Sequence, residues 1–148
     1  MVEVPKVREL TLDDYSRLFD LWQVAGLQSL RPFGRDSHEA VAAQIASGVT
    51  TILGLEDGDR LVGAVVVTHD SRKGWINRLV VHPCFRRQGF ARMLIEAAED
   101  ALHGRSIHVI GVLIEDFIRA SLALFQSAVY SEGDPPVHYL SKRDSRAA

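Results

Sequence analysis

Leu12, Tyr15, Leu18, Phe19 and Trp22 recur at the three- and four-residue spacing of one helix face, which predicts an amphipathic helix over residues 12–24. Thr11 heads it as an N-cap, with acid in the first turn. A short strand candidate, residues 7–10, precedes it. After a loop over residues 26–35, Asp36 or Ser37 caps a second helix that reaches Ser47, and Gly48 ends it. The pattern then changes period. Residues 50–55 and 60–68 read as strands joined by Glu56-Asp57-Gly58-Asp59, in which the Asp-Gly step marks a hairpin. A polar connection over residues 69–74 leads to a third apolar strand, residues 75–81, completing an antiparallel meander.

A Pro-containing turn follows, then an Arg- and Gly-rich loop and a long helix whose apolar face is marked by Phe90, Leu94, Ala97, Ala98 and Ala101. Gly104 ends that helix. Residues 106–113 are almost unbroken in apolar side chains except for His108, as expected of a central strand covered on both faces. A last helix over residues 117–128 and a final strand over residues 137–140 complete the pattern, and the polar tail 141–148 is expected to fray. The order predicts a single α+β domain, an α/β/α sandwich around one twisted mixed β-sheet.

Composition narrows the function classes. With 47% hydrophobic and 24% charged residues over 148 positions, the chain can bury a full core and needs no disulfide. Its one cysteine, Cys84, excludes an intramolecular bridge and a multi-cysteine metal site, and the six histidines show no metal-ligand spacing, so no metal is expected. No apolar run is long enough to span a bilayer, and the N-terminus lacks a basic start followed by an apolar core, so a cytoplasmic protein without a membrane partner is expected. A net charge of −2 argues against a general nucleic-acid binder. Locally the balance differs: Arg78, Arg86, Arg87 and Arg92 fall close together in sequence, a patch suited to a small polyanion.

The stretch LVVHP, residues 79–83, runs into RRQGFA, residues 86–91, and then into the long helix. A helix start leaves about four backbone N–H groups unpaired and carries roughly half a positive charge, and a glycine lets an anion approach the main chain. This order resembles the GNAT acetyltransferases, the Gcn-related N-acetyltransferases, whose loop pattern R/Q-x-x-G-x-G/A is fitted by RRQGFA. The predicted order of elements is also that of the family. The resemblance implies the GNAT acyl-CoA N-acyltransferase fold, with acetyl-CoA as co-substrate lying where the fourth and fifth strands splay apart. On this chain its pantetheine arm would meet the backbone of Leu79, Val80 and Val81. Its diphosphate would be held by the loop and helix start, Arg86, Arg87, Gln88, Gly89, Phe90, Ala91 and Arg92.

The resemblance further implies direct attack of an acceptor amine on the thioester. Glu115 and Asp116, just past the fifth strand, are candidate bases; Asp116 also reads as a plain N-cap of the last helix, and a water relay is an equal alternative. The family's tyrosine on the last helix, which protonates the leaving thiolate, aligns with Phe125, which has no proton to donate. Tyr130 is five residues further, about 140° round a continued helix, whereas Ser121 shares the Phe125 face one turn away and is the candidate substitute donor through a water, the alternative being a small residue that packs under the cofactor arm. His82 is read as structuring its turn and His108 as a core histidine. Arg31 and Phe33 are the candidate acceptor contacts, with Arg31 offering a bidentate partner to a carboxylate. The expected function is transfer of an acetyl group to a primary amine of a small molecule, peptide or protein; the alternative is a non-catalytic CoA or acyl-CoA sensor or scaffold. Pairing of two copies through the final strands is common in the family, so a homodimer is also in view.

Overall fold

The computed structural model describes residues 4–113, 119–133, 135 and 137–145. Among these, five strands form one sheet in sequence order: β1 (Lys6–Glu9), β2 (Thr50–Asp57), β3 (Arg60–His69), β4 (Gly74–Val81) and β5 (Ile110–Val112). The first four run antiparallel and β5 is parallel to β4. Four α-helices flank the sheet: α1 (Tyr15–Val24), α2 (His38–Ala46), α3 (Phe90–His103) and α4 (Arg119–Ser127).

The period-two alternation of β2 and β3 builds the two faces. Ile52, Ala64 and Val66 pack with Leu18, Leu21 and Trp22 of α1 and Val41 of α2, whereas Leu53, Leu55, Val65 and Val67 pack with Leu94, Ile95, Ala98 and Leu102 of α3. Burying Phe90, Leu94, Ile95 and Leu102 contributes roughly 6–12 kcal/mol before ordering entropy, which is why α3 lies fixed along the sheet. Its last turn sits so close to β4 that a Cβ on Gly74 would lie 2.5 Å from Leu102 Cδ1.

Several expectations need correction. The first helical segment begins as a 3-10 turn, Leu12–Asp14, before α1. Ser37, not Asp36, caps α2, its Oγ accepting from the Ala40 N–H at 3.1 Å. The strand expected over residues 106–113 is only Ile110–Val112, and it is not covered on both faces: Val109 and Leu113 are each 55% exposed. Gly111 explains part of this, because the Trp75 ring lies over it where a core side chain would otherwise project. His108 is exposed and stacks on His103 at 6.0 Å rather than sitting in the core. Residues 137–140 form no strand, and Val137, Tyr139 and Leu140 face solvent.

At the far edge, Asp14 ties β1 to the start of α1. Its carboxylate accepts from Arg8 Nη2 at 2.7 Å and Nη1 at 3.0 Å, from Arg17 Nη2 at 2.7 Å and from the Thr11 N–H at 2.9 Å. The Arg8 guanidinium, helped by Thr11 and Arg17, holds the acid well below the usual carboxylate range against the opposing effect of burial. A depressed folded-state pKa contributes stability that is present above the unfolded value, about 3.9, and is lost as pH falls from there through the folded value. Asp14→Asn should lower stability at neutral pH and flatten the fall below about pH 4. Urea unfolding at several acidic pH values tests this; an unchanged acid slope in the variant would place that sensitivity elsewhere.

Candidate active site

The pairing between β4 and β5 covers only Gly74–Ile110, Trp75–Gly111 and Ile76–Val112. Beyond Ile76 the β4 edge has no strand beside it among the described residues. A bulge marks the same point: Asn77 faces Val66 and Val80 faces Ala64, so Arg78 and Leu79 together oppose Val65. Arg78 takes φ +49°, a left-handed conformation that a non-glycine residue adopts only when its surroundings impose it.

Past the bulge the direction of the main chain can be followed from its bonds. The His82 N–H donates to Val62 O on β3 at 2.7 Å, so by alternation the N–H groups of Leu79 and Val81 point into the split. The Val81 carbonyl points there as well, and it accepts from Arg86 Nε at 3.2 Å. The split thus offers main-chain donors in an apolar wall.

Beyond it, Pro83–Phe85 forms a 3-10 turn capped by His82 Nδ1, which accepts the Cys84 N–H at 3.1 Å. Residues 86–89 then run exposed to the helix. Arg87 has φ +64° and Gly89 φ +81°, so two left-handed residues on either side of Gln88 swing the chain into α3. Gly89 is the N-cap and no side chain caps the helix with a hydrogen bond, which leaves the N–H groups of the first turn open. A Cβ on Gly89 would meet nothing within 4 Å, so the space above the helix start is open and the glycine is required by its dihedral angle. Ala91 is half-buried beside it, and Phe90 is 9% exposed in the core, so that Phe90 offers the loop only its main chain.

The chain shows a strand edge freed at a bulge and aimed at an open helix start, and a family model described as "Acetyltransferase (GNAT) family" matches residues 6–128. The chain belongs to the GNAT acetyltransferase family. An acetyltransferase of Yersinia pestis is 26% identical over 129 residues, covering 87% of this chain and 89% of the relative. Among solved structures, the PaiA N-acetyltransferase of Thermoplasma acidophilum in complex with coenzyme A superimposes with a TM-score of 0.73 at 17% identity, over 85% of this chain and 89% of that one. An aminoglycoside acetyltransferase from an uncultured soil metagenomic sample, in complex with sisomicin, gives 0.77 at 15% identity, over 95% and 97%. The five-stranded mixed sheet with its four helices is the GNAT fold.

Within this GNAT domain the expected site residues separate into groups. Leu79, Val80 and Val81 line or back the split; Arg86, Arg87, Gln88 and Gly89 are exposed in the loop. Arg92 turns away toward α4, donating to Ser127 Oγ at 2.7 Å. Arg78 does not join the arginines of the loop. The bulge turns it onto the α1 face of the sheet, over the Trp22 ring at 5.2 Å and onto Asp36 Oδ2 at 2.9 Å, while Arg86 meets that side at Ala25 O, at the end of α1, at 3.4 Å. Glu115 and Asp116 lie outside the described residues.

On α4, Ser121 is half-buried and Phe125 is 3% exposed in the core beneath the sheet. Tyr130 is not carried round a continued helix, as its spacing suggested. The helix stops at Ser127, Val129 takes φ +71°, and the Tyr130 N–H returns to Phe125 O at 3.0 Å while the Val129 N–H returns to Gln126 O at 3.1 Å, a Schellman closure. The Tyr130 ring therefore packs edge-on against Phe125 at 5.3 Å, and its hydroxyl reaches Glu99 on α3 at 3.2 Å. Burial, with the Glu99 charge, pushes this phenol well up, which makes it a poor proton source.

The loop between α1 and α2 lies on the other side. Arg31 folds back on its own loop, donating to Leu30 O at 3.0 Å and Gln28 O at 3.3 Å, while Phe33 is 93% exposed. Asp36 is buried at 3% exposure and accepts from the Arg31 N–H at 2.6 Å and from Arg78. In sequence Asp36 reads only as a helix cap and Arg78 only as part of a basic patch; their pairing has no local signal, because they lie 42 positions apart and meet through a bulge.

Proposed function

We propose that the protein is an acetyl-CoA-dependent N-acetyltransferase that acts on a primary amine of a small molecule, peptide or protein. The observation that carries this reading is the β4 edge at residues 79–81, which has no strand beside it among the described residues, leading into the left-handed start of α3 at Gly89 with no side-chain cap. The N–H groups of Leu79 and Val81 are positioned to hold the pantetheine arm and polarise a thioester carbonyl, and the open N–H groups after Gly89, with Arg86 and Arg87, suit a diphosphate.

In the reaction the neutral amine attacks the carbonyl carbon, the C–S bond breaks, and the amine proton leaves to a base or water while the CoA thiolate gains one. Ser121, one turn from Phe125 on α4, is the proton donor through a water. A non-catalytic CoA or acyl-CoA sensor is the second reading, favoured by the buried Phe125 at the family's tyrosine position.

Calorimetric titration of acetyl-CoA, followed by thiol release against pooled amines and peptides, decides between them. The transferase reading expects binding and acceptor-dependent release, with turnover lowered about tenfold or more in Ser121→Ala. Binding without release from any pool supports the sensor, and unchanged turnover in the variant removes the role of Ser121.

A further inference from the structure

Two guanidinium groups converge on one carbonyl oxygen beside the split. Arg78 Nη2 donates to Ser29 O at 3.2 Å and Arg35 Nη2 donates to the same oxygen at 3.1 Å. Arg31 belongs to the same loop. Against these three cations the described residues place one buried carboxylate in the cluster, Asp36, which is already engaged by Arg78 Nη2 at 2.9 Å and by the Arg31 N–H at 2.6 Å. Arg78 Nη1 and Arg31 Nε are enclosed and have no hydrogen-bond acceptor among the described residues. Enclosed donors left unmatched and like charges held together both raise the free energy of the cluster. A second oxyanion delivered beside Arg35 and Arg78 would offset the crowded positive charge.

We propose that this arginine pair is the specificity element for the acceptor, and that the acceptor is a small amine carrying a carboxylate. The inference rests on the transferase reading for the position of the reacting amine. Arg78 sits at the bulge, directly before Leu79, whose N–H faces the split if the alternation fixed by the His82 N–H to Val62 O bond is followed back along β4. A carboxylate bound by Arg78 is therefore only a side chain's length from the place where the thioester lies, which calls for amine and carboxylate in one compact molecule. Arg35 is exposed and forms the entrance, and Arg78, with 14% of its side-chain surface open, forms the inner contact. Planar guanidiniums match a carboxylate in two-point geometry. An acceptor with several ammonium groups meets the same pair with like charge and is rejected.

The test uses the full chain loaded with CoA and titrated calorimetrically with a panel of α- and ω-amino acids, the same compounds as carboxamides, and spermidine, with thiol release from acetyl-CoA measured in parallel. The proposal expects carboxylates to bind at least thirtyfold more tightly than their amides, and Arg35→Gln to collapse that ratio through KM rather than kcat, with Arg35→Lys restoring part of it. Because Arg35 is exposed, its replacement leaves the fold intact. Carboxylate-selective binding without thiol release would keep the inference and overturn the transferase reading. Release with amides or spermidine as readily as with carboxylates would keep the transferase and overturn the inference, as would a ratio unchanged by Arg35→Gln. No binding of any carboxylate overturns it outright.

Discussion

Gly89→Val should weaken acetyl-CoA binding a hundredfold or more while the protein remains folded. Gly89 sits at φ +81° with open space above it, so the substitution meets no clash, only a dihedral angle that a β-branched residue resists by about 1–3 kcal/mol. The chain can relieve that strain by turning the Gly89 peptide, which redirects the first N–H groups of α3. Each N–H lost to a phosphate oxygen costs about 1.5–3 kcal/mol, so two lost donors reach a hundredfold or more. A valine methyl also occupies the space through which a diphosphate would approach. Calorimetry gives the affinity, and thermal unfolding without ligand gives the fold. Undiminished affinity in a folded Gly89→Val protein would mean that the α3 start holds no phosphate, and the proposed function would lose its main support.

The same loop shows what the sequence makes legible. Left-handed turns, helix starts and apolar stripes are local properties, so RRQGFA, the Asp57-Gly58 hairpin and the Phe90 face of α3 were readable residue by residue, and the family pattern rests on them. The meander β2–β4 follows for the same reason. What the sequence hides is set by partners. Residues 106–113 are apolar enough for a central strand, yet β4 leaves β5 after Ile76, so only three residues pair. Residues 137–140 have strand-like side chains but form no strand.

Two further cases depend on a single irregularity. The spacing of Tyr130 from Phe125 implies a continued helix, but the helix closes at Val129 and the reversal brings the Tyr130 ring back onto Phe125. The position of Arg78 in sequence implies a place among the loop arginines, but the bulge breaks the alternation and turns its side chain onto the α1 face, to Asp36. In both, one residue with positive φ decides which side chains meet, and neither Val nor Arg advertises that conformation. The candidate site is therefore half legible: its main-chain half follows from motif and topology, and the Arg78–Asp36 side proposed to meet the acceptor follows from a defect in the strand.

Asp36→Ala should be the most destabilising single change on the acceptor side, by about 3–5 kcal/mol. The Asp36 side chain is 5% exposed and that of Arg78 14%, and among the described residues Asp36, at 2.9 Å, is the one carboxylate partner of that guanidinium. Burial lowers the Arg78 pKa and Asp36 opposes this, so removing the acid leaves a desolvated cation beside Arg35 and Arg31, both of which oppose its charge. The Arg31 N–H loses its acceptor in the same step, and the α1–α2 loop loses its anchor to β4. The double variant Asp36→Ala/Arg78→Met separates the causes. Replacing both charges with apolar groups should recover most of the loss, because an ion pair of this kind is costly to break and much cheaper to exchange for packing. Urea unfolding of the two variants measures the difference; if the double variant is as unstable as Asp36→Ala, the loss belongs to the loop anchor and the stranded charge is not its cause.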